Sequence, residues 1–162
     1  MSRKISDESI IRPLGIGDIG TVELMEQECF SAPWSRDSLI SDIVLNPNAR
    51  YIGMEKGNRI VAYAGMWVAY DQAHITNIAV TTGERRKGIG TLLIERLIQM
   101  ARSLGVASMT LEVRVSNLPA HAMYGKLGFY IASVRKKYYF DNGEDAYLMC
   151  KDDVQSGQGL ST

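Results

Sequence analysis

The chain has 162 residues, 18 Lys plus Arg against 18 Asp plus Glu, and an apolar share of 46%. Those figures suit one domain with short tails and a packed core, and a formal charge of zero gives no overall pull toward nucleic acid or an anionic membrane. No apolar run approaches the ~20 residues of a bilayer span, and residues 1–9 lack a secretory apolar region, so the reading is a cytoplasmic protein.

Residues 10–12 read as a short strand stopped by Pro13. Asp18 stands where a helix cap belongs, before Ile19, Val22, Leu24, Met25 and Cys29 at helical spacing. Ala32-Pro33-Trp34-Ser35 interrupts that pattern, and Ser35 then caps a second helix through Leu39, Ile40, Ile43 and Val44, ended by Pro47. Strands at 50–55 and 59–68 flank the hairpin signal Lys56-Gly57-Asn58, and a third at 73–80 follows a turn at Tyr70-Asp71-Gln72.

The pattern from 88 to 104 is a long helix with Ile89, Leu92, Leu93, Leu97, Met100, Ala101 and Leu104 as its apolar face and Gly105 just past its end. Residues 107–115 alternate strictly, with Met109, Leu111 and Val113 on one face and Thr110, Glu112 and Arg114 on the other. Asn117 opens a short helix over 119–127, ended by Gly128. Residues 129–140 and 144–150 read as a closing strand pair around Asp141-Asn142-Gly143. This order predicts an α+β domain with a mixed, mainly antiparallel sheet, not a doubly wound fold. The domain is expected over 10–151, with an N-terminal tail at 1–9 and a flexible, Ser/Gly/Gln-rich tail at 152–162.

The richest segment is Arg85-Arg86-Lys87-Gly88-Ile89-Gly90, between a strand and the long helix. First-turn N–H groups of a helix lack internal partners, the helix dipole adds positive potential, and glycines let the backbone approach a ligand. Such a junction binds a phosphate or pyrophosphate. A Walker A loop would need Lys-Ser/Thr after Gly90, and a dinucleotide loop a third glycine where Leu93 stands.

The remaining reading comes from a resemblance. Arg85-x-x-Gly88-x-Gly90 after the fourth strand resembles the coenzyme A loop of the GNAT acyltransferases, and the element order matches that fold. The likeness spans residues 10 to about 151. It is nearest to the RimI-type N-terminal acetyltransferases and their Ard1-like relatives in Asn77-Ile78-Ala79-Val80, in 111–117, in 123–129, in 135–139, in 144–147 and in Pro33-Trp34-Ser35.

The resemblance implies a GNAT fold with helices on both faces of the sheet and strands four and five splayed where acetyl-CoA inserts. Acetyl-CoA would pair with the edge of Ile78, Ala79 and Val80, with a backbone N–H of Ala79 or Val80 facing the acetyl oxygen. Its pyrophosphate would rest on backbone N–H groups from Arg86 through Lys87, Gly88, Ile89 and Gly90 to Thr91, with Arg85, Arg86 and Lys87 adding charge. Asn117 would contact the cofactor, or cap its helix, or do both. Glu112 is assigned general base and Tyr124 general acid. By pattern alone, Glu112 is equally a strand glutamate paired with a cation, and Tyr124 a packed aromatic.

Tyr138, Tyr139 and Trp34 would line the peptide entrance; each also reads as a packing residue. The implied substrate is a protein N-terminus, the alanine of a small-subunit ribosomal protein, taken by a monomer or weak dimer. A small-molecule amine substrate and a catalytically idle CoA-binding module are the alternatives. No metal is expected: His74 and His121 lack ligand spacing and read as surface or structural residues. Cys29 and Cys150 read as reduced thiols. Thr81-Thr82-Gly83-Glu84 departs from the commoner proline-containing approach to the loop, and Gly125 from a larger polar residue.

Overall fold

The computed structural model describes residues 8–156. Within them lie seven strands and four α-helices. The strands are β1 (Ser9–Pro13), β2 (Ala49–Lys56), β3 (Arg59–Ala69), β4 (Gln72–Val80), β5 (Ser108–Arg114), β6 (Tyr130–Arg135) and β7 (Ala146–Lys151). The helices are α1 (Ile19–Cys29), α2 (Arg36–Leu39), α3 (Ile89–Ser103) and α4 (Leu118–Lys126). The strands form one sheet in the order β1-β2-β3-β4-β5-β7-β6, with β4 and β5 parallel. No described helix is long and apolar enough to cross a membrane. The chain divides into two compact units, one made of residues up to Met66 with Asn77–Leu97, the other of Trp67–Thr76 with the residues from Ile98 on.

In the first unit, β1 pairs antiparallel with β2 from Ser9↔Lys56 to Pro13↔Ile52. The core joins Leu14, Ile19, Val22, Met25, Leu39, Tyr51, Ile60, Tyr63 and Ala79. Ser35 caps α2 as expected, its side chain accepting the Ser38 N–H, and α2 runs on into a π-helical turn at Ile40–Leu45. Asp18 stands at the expected start of α1 but does not cap it. Its carboxylate accepts instead from the Gly15 N–H and from the Arg12 guanidinium at 2.8 Å each.

Two buried carboxylates organise this unit. Asp42 accepts from the Tyr51 hydroxyl and from Asn46 Nδ2. The Tyr51 ring crosses Gly65 so closely that a Cβ there would lie 2.1 Å from it, which excludes any side chain at 65. Glu26, 1% exposed, accepts from the Trp34 N–H at 2.8 Å, from Asn77 Nδ2 at 2.9 Å and from the Tyr63 hydroxyl. One carboxylate thereby ties α1 to the loop before α2 and to two strands. A buried carboxyl group is tolerable only when its oxygens are satisfied in this way.

In the second unit, β5 shows the expected alternation: Met109, Leu111 and Val113 are buried and the residues between them half-buried. It pairs antiparallel with β7 from Met109↔Lys151 to Arg114↔Ala146, and β7 pairs with β6 through an irregularity between Ile131 and Ser133. The parallel ladder with β4 spans three residue pairs, from Gln72↔Ser108 to His74↔Thr110.

Besides Asp18, the structure differs from the sequence expectation elsewhere: Leu24, expected on the apolar face of α1, is exposed. The last strand pair is shorter, because β6 stops at Arg135 and Lys137 takes a left-handed backbone (φ 53°), leaving 136–145 as a loop. The buried face of α3 is turned by about one position: Ile94 and Ile98 are inside, Leu92 and Leu104 exposed. The tail expected from 152 is held at its start. Val154 is fully buried, its carbonyl accepts from Arg102 Nε at 2.8 Å, and Gln155 Nε2 donates to the carbonyls of Arg102 and Val106. Residues 157–162 of that tail, and 1–7 of the N-terminal one, lie outside the described residues.

Glu26→Ala removes the buried acceptor of the Trp34 N–H and the Tyr63 hydroxyl, and one of the acceptors of the Asn77 amide. It is expected to destabilise the protein by about 3 kcal/mol or more, read as a fall in denaturation midpoint without a change in slope.

Candidate active site

The glycine loop belongs to the first unit and precedes α3. Its backbone is left-handed at two positions, Arg86 (φ 64°) and Gly88 (φ 80°), flanking Lys87. Turns of this kind point successive N–H groups at one spot and make an anion cradle. A Cβ on Gly88 would meet nothing within 4 Å, so open space lies beside the backbone there. Ile89 is buried and anchors the helix start, while Gly90 and Thr91 are half-buried in the first turn. The local geometry fits a pyrophosphate held by main-chain donors.

The loop's cations are not all turned outward. Arg85 folds back: its Nε donates to the Val80 carbonyl at 2.9 Å and its Nη2 lies 3.4 Å from Cys29 Sγ. Lys87 and Lys56 both pair with Glu84, at 3.1 and 2.9 Å, and together they hold its carboxyl below the usual range. Thr82 is fastened by Glu28, which accepts from both its N–H and its hydroxyl. That bond steadies the Thr81-Thr82-Gly83-Glu84 approach that lacks a proline. Of β4, Ile78 and Val80 are half-buried and Ala79 is buried in the core. Trp34 is half-buried and packs against the same core.

The second unit gathers the titratable residues. Glu112 lies mid-strand on the polar face of β5, its side chain 10% exposed. His74 Nε2 is 2.9 Å from Glu112 Oε1, and Arg135 Nε is 3.0 Å from Oε2. Tyr138 faces the same carboxylate; burial first, and then that negative neighbour, raise the Tyr138 phenol. Burial alone would raise the Glu112 carboxyl, but His74 and Arg135 outweigh it and hold it below the usual range. Glu112 is therefore ionised at neutral pH. On its other side, His74 Nδ1 sits 2.7 Å from Thr110 Oγ1.

Tyr124 is buried on α4, edge-on to Phe129, and desolvation raises its phenol, so it keeps its proton at neutral pH. Asn117 caps α4, accepting the Ala120 N–H at 3.3 Å. Tyr138 and Tyr139 pack edge-to-face with ring centres 5.0 Å apart; Tyr138 is 42% exposed and Tyr139 half-buried, its phenol pushed up to about 12 mainly by burial. His121 has the expected structural role, contacting the Arg114 carbonyl and the Tyr147 ring.

His74 is the residue that sequence reasoning missed. It stands against Glu112 because the parallel ladder pairs it with Thr110, two residues before Glu112 on the same face. Only a known β4–β5 register would have revealed that contact.

The profile of the acetyltransferase (GNAT) family matches residues 20–129. The chain belongs to that family. It is 37% identical over 142 residues to a Bacillus subtilis protein, covering 88% of this chain and 94% of that one; that relative is named as a putative alanine N-acetyltransferase of ribosomal protein bS18. It is 36% identical over 143 residues to the Escherichia coli bS18-alanine N-acetyltransferase, covering 86% and 94%. The crystal structure of the ribosomal-protein-S18-alanine N-acetyltransferase from Escherichia coli superposes with a TM-score of 0.83 over 89% of this chain and 93% of that one. The fold expected from the sequence is thus the one the chain has.

Gly88→Ala puts a side chain on a left-handed residue and into the open space of the cradle. The KM for acetyl-CoA is expected to rise about tenfold or more as the side chain intrudes on the cradle, and the thermal midpoint to fall by several degrees, since strain at such a site costs of order 1–3 kcal/mol; initial rates across an acetyl-CoA titration and a thermal melt read the two.

Proposed function

We propose that this chain is a cytoplasmic, acetyl-CoA-dependent protein N-terminal acetyltransferase whose substrate is the terminal alanine of a small-subunit ribosomal protein, the bS18 class. The observation that carries the reading is Glu112. It is an ionised carboxylate held at both oxygens on the polar face of β5, in a chain more than a third identical to bS18-alanine acetyltransferases along most of both lengths.

Acetyl-CoA supplies an activated acetyl thioester. The loop's main-chain donors from Arg86 to Thr91 hold its diphosphate, β4 at Ile78–Val80 offers strand-edge groups to its arm, and Asn117 adds a polar contact. Glu112 receives the proton that leaves the attacking nitrogen as that nitrogen gains positive charge and acidity. Its lowered pKa keeps it ready to accept across the neutral range. Tyr124 gives its phenolic proton to the departing sulfur, and its buried position keeps that proton in place until the thiolate forms. Tyr138 and Tyr139 wall the peptide's first residues with area that costs little entropy to order. Trp34 shapes the loop before α2 from its seat on the core.

An α-amine suits this machinery. With a pKa of about 8, roughly a tenth of it is neutral at pH 7, against fewer than one in a thousand for a lysine of pKa about 10.4.

Purified protein is expected to release CoA from acetyl-CoA in the presence of a peptide beginning Ala-Arg. Turnover with polyamines or aminoglycosides but with no N-terminal peptide would overturn the reading. Glu112→Gln and Tyr124→Phe should each lower kcat by roughly 10²-fold without loss of fold; wild-type rates would remove these roles.

The pH profile separates the groups. A carboxyl held low is protonated, and its contribution lost, only as pH falls through that lowered value, so Glu112 adds no limb in the neutral range. The acid limb of kcat/KM should follow the peptide amine near pH 8 and move down when a peptide with a less basic amine is used.

A further inference from the structure

Arg114 stands two residues beyond Glu112 on the same face of β5 and takes no part in the chemistry above. Its guanidinium reaches the 136–145 loop. Nη2 donates to Asp141 Oδ2 at 2.7 Å, and Nη1 to Glu144 Oε1 at 3.1 Å and to Asn142 Oδ1 at 3.2 Å. Its Cζ lies 3.9 Å above the Tyr139 ring centre.

The loop closes around these contacts. The second oxygen of Glu144 accepts the Ser116 N–H at 2.9 Å, the Tyr139 N–H donates to the Glu144 carbonyl, and the Gly143 N–H donates to the Tyr139 carbonyl. Asp145 Oδ1 accepts the Lys137 N–H at 2.9 Å. Three acceptors and one ring face therefore converge on a single planar cation. An arginine fork serves several directed partners and stacks on an aromatic face; a lysine ammonium is a point charge and does not.

We propose that Arg114 is a positioning residue for peptide recognition: its fork sets the loop conformation that stands Tyr138 and Tyr139 at the substrate's N-terminus. This rests on reading those tyrosines as peptide walls. The two ion pairs of Glu112 come from His74 on β4 and Arg135 on β6, both outside the loop. Loss of Arg114 loosens the wall and leaves those two ion pairs in place, so the effect falls first on the peptide.

The test is steady-state kinetics with acetyl-CoA and an alanine-initiated peptide. In Arg114→Met the peptide KM is expected to rise about tenfold or more, the weight of one charge-assisted hydrogen bond. The acetyl-CoA KM and the pH profile should match wild type, and Arg114→Lys should fall between. Asp141→Asn approaches the same contact from the loop and should raise the peptide KM in the same direction. The double variant should be no worse than Arg114→Met alone, since the two residues share one interaction.

An unchanged peptide KM in Arg114→Met, an equal rise in both KM values, or additive effects in the double variant would overturn the proposal. If Arg114→Met does not fold, an unchanged peptide KM in Asp141→Asn overturns it. Wild-type protein that acetylates no N-terminal peptide sinks the proposed function instead, which separates the two failures.

Discussion

Strand β5 has to satisfy two demands with one backbone. Met109, Leu111 and Val113 are buried on one face, while Thr110, Glu112 and Arg114 fall on the other. Side chains alternate with a period of two, so a slip of one residue would bury three polar groups and expose three apolar ones. The burial that fixes the register therefore also fixes the spacing of the polar row. Thr110 meets His74, Glu112 meets His74 and Arg135, and Arg114 meets the loop that carries the two tyrosines. Packing energy spent on the core face holds the chemistry of the other face in line.

The first unit solves a different problem with Glu26. A carboxylate there would be costly if any of its lone pairs went unmet. Instead it takes donors from a loop backbone, a tyrosine and an asparagine, all from different elements. The result is a directional tie among pieces that hydrophobic contact alone would hold loosely. Asn77 is thereby placed one residue before the Ile78–Val80 segment that the resemblance gives to the cofactor arm.

The glycine loop divides its work between main chain and side chains in a way its composition conceals. Three consecutive cations suggest a cluster aimed at phosphate. In the fold, Arg85 caps the Val80 carbonyl and Lys87 neutralises Glu84. Much of the positive charge is thus used to shape the loop, while the left-handed backbone at Arg86 and Gly88 turns successive N–H groups toward one side. A backbone cradle of this kind is rigid and insensitive to side-chain rotamers.

Local patterns carried much of the fold. Ser35 and Asn117 are caps that act within three residues, the alternation in β5 is a property of adjacent residues, and the glycine spacing before α3 is contiguous; all were legible in the chain. Glu112 and Tyr124 were nameable through family likeness, and the strand pattern set Glu112 on the polar face. The partners of Glu112 were not legible, because His74 lies 38 positions earlier and Arg135 23 later, and strand pairing alone brings them together. The length of β6 was also misjudged, since its end is set by Lys137's backbone and by Arg114 drawing Asp141 and Glu144 toward β5. The sequence by itself determined elements, faces and the glycine loop, whose causes act between near neighbours. Only the tertiary structure decided which charges meet, because those contacts depend on register between strands remote in the chain.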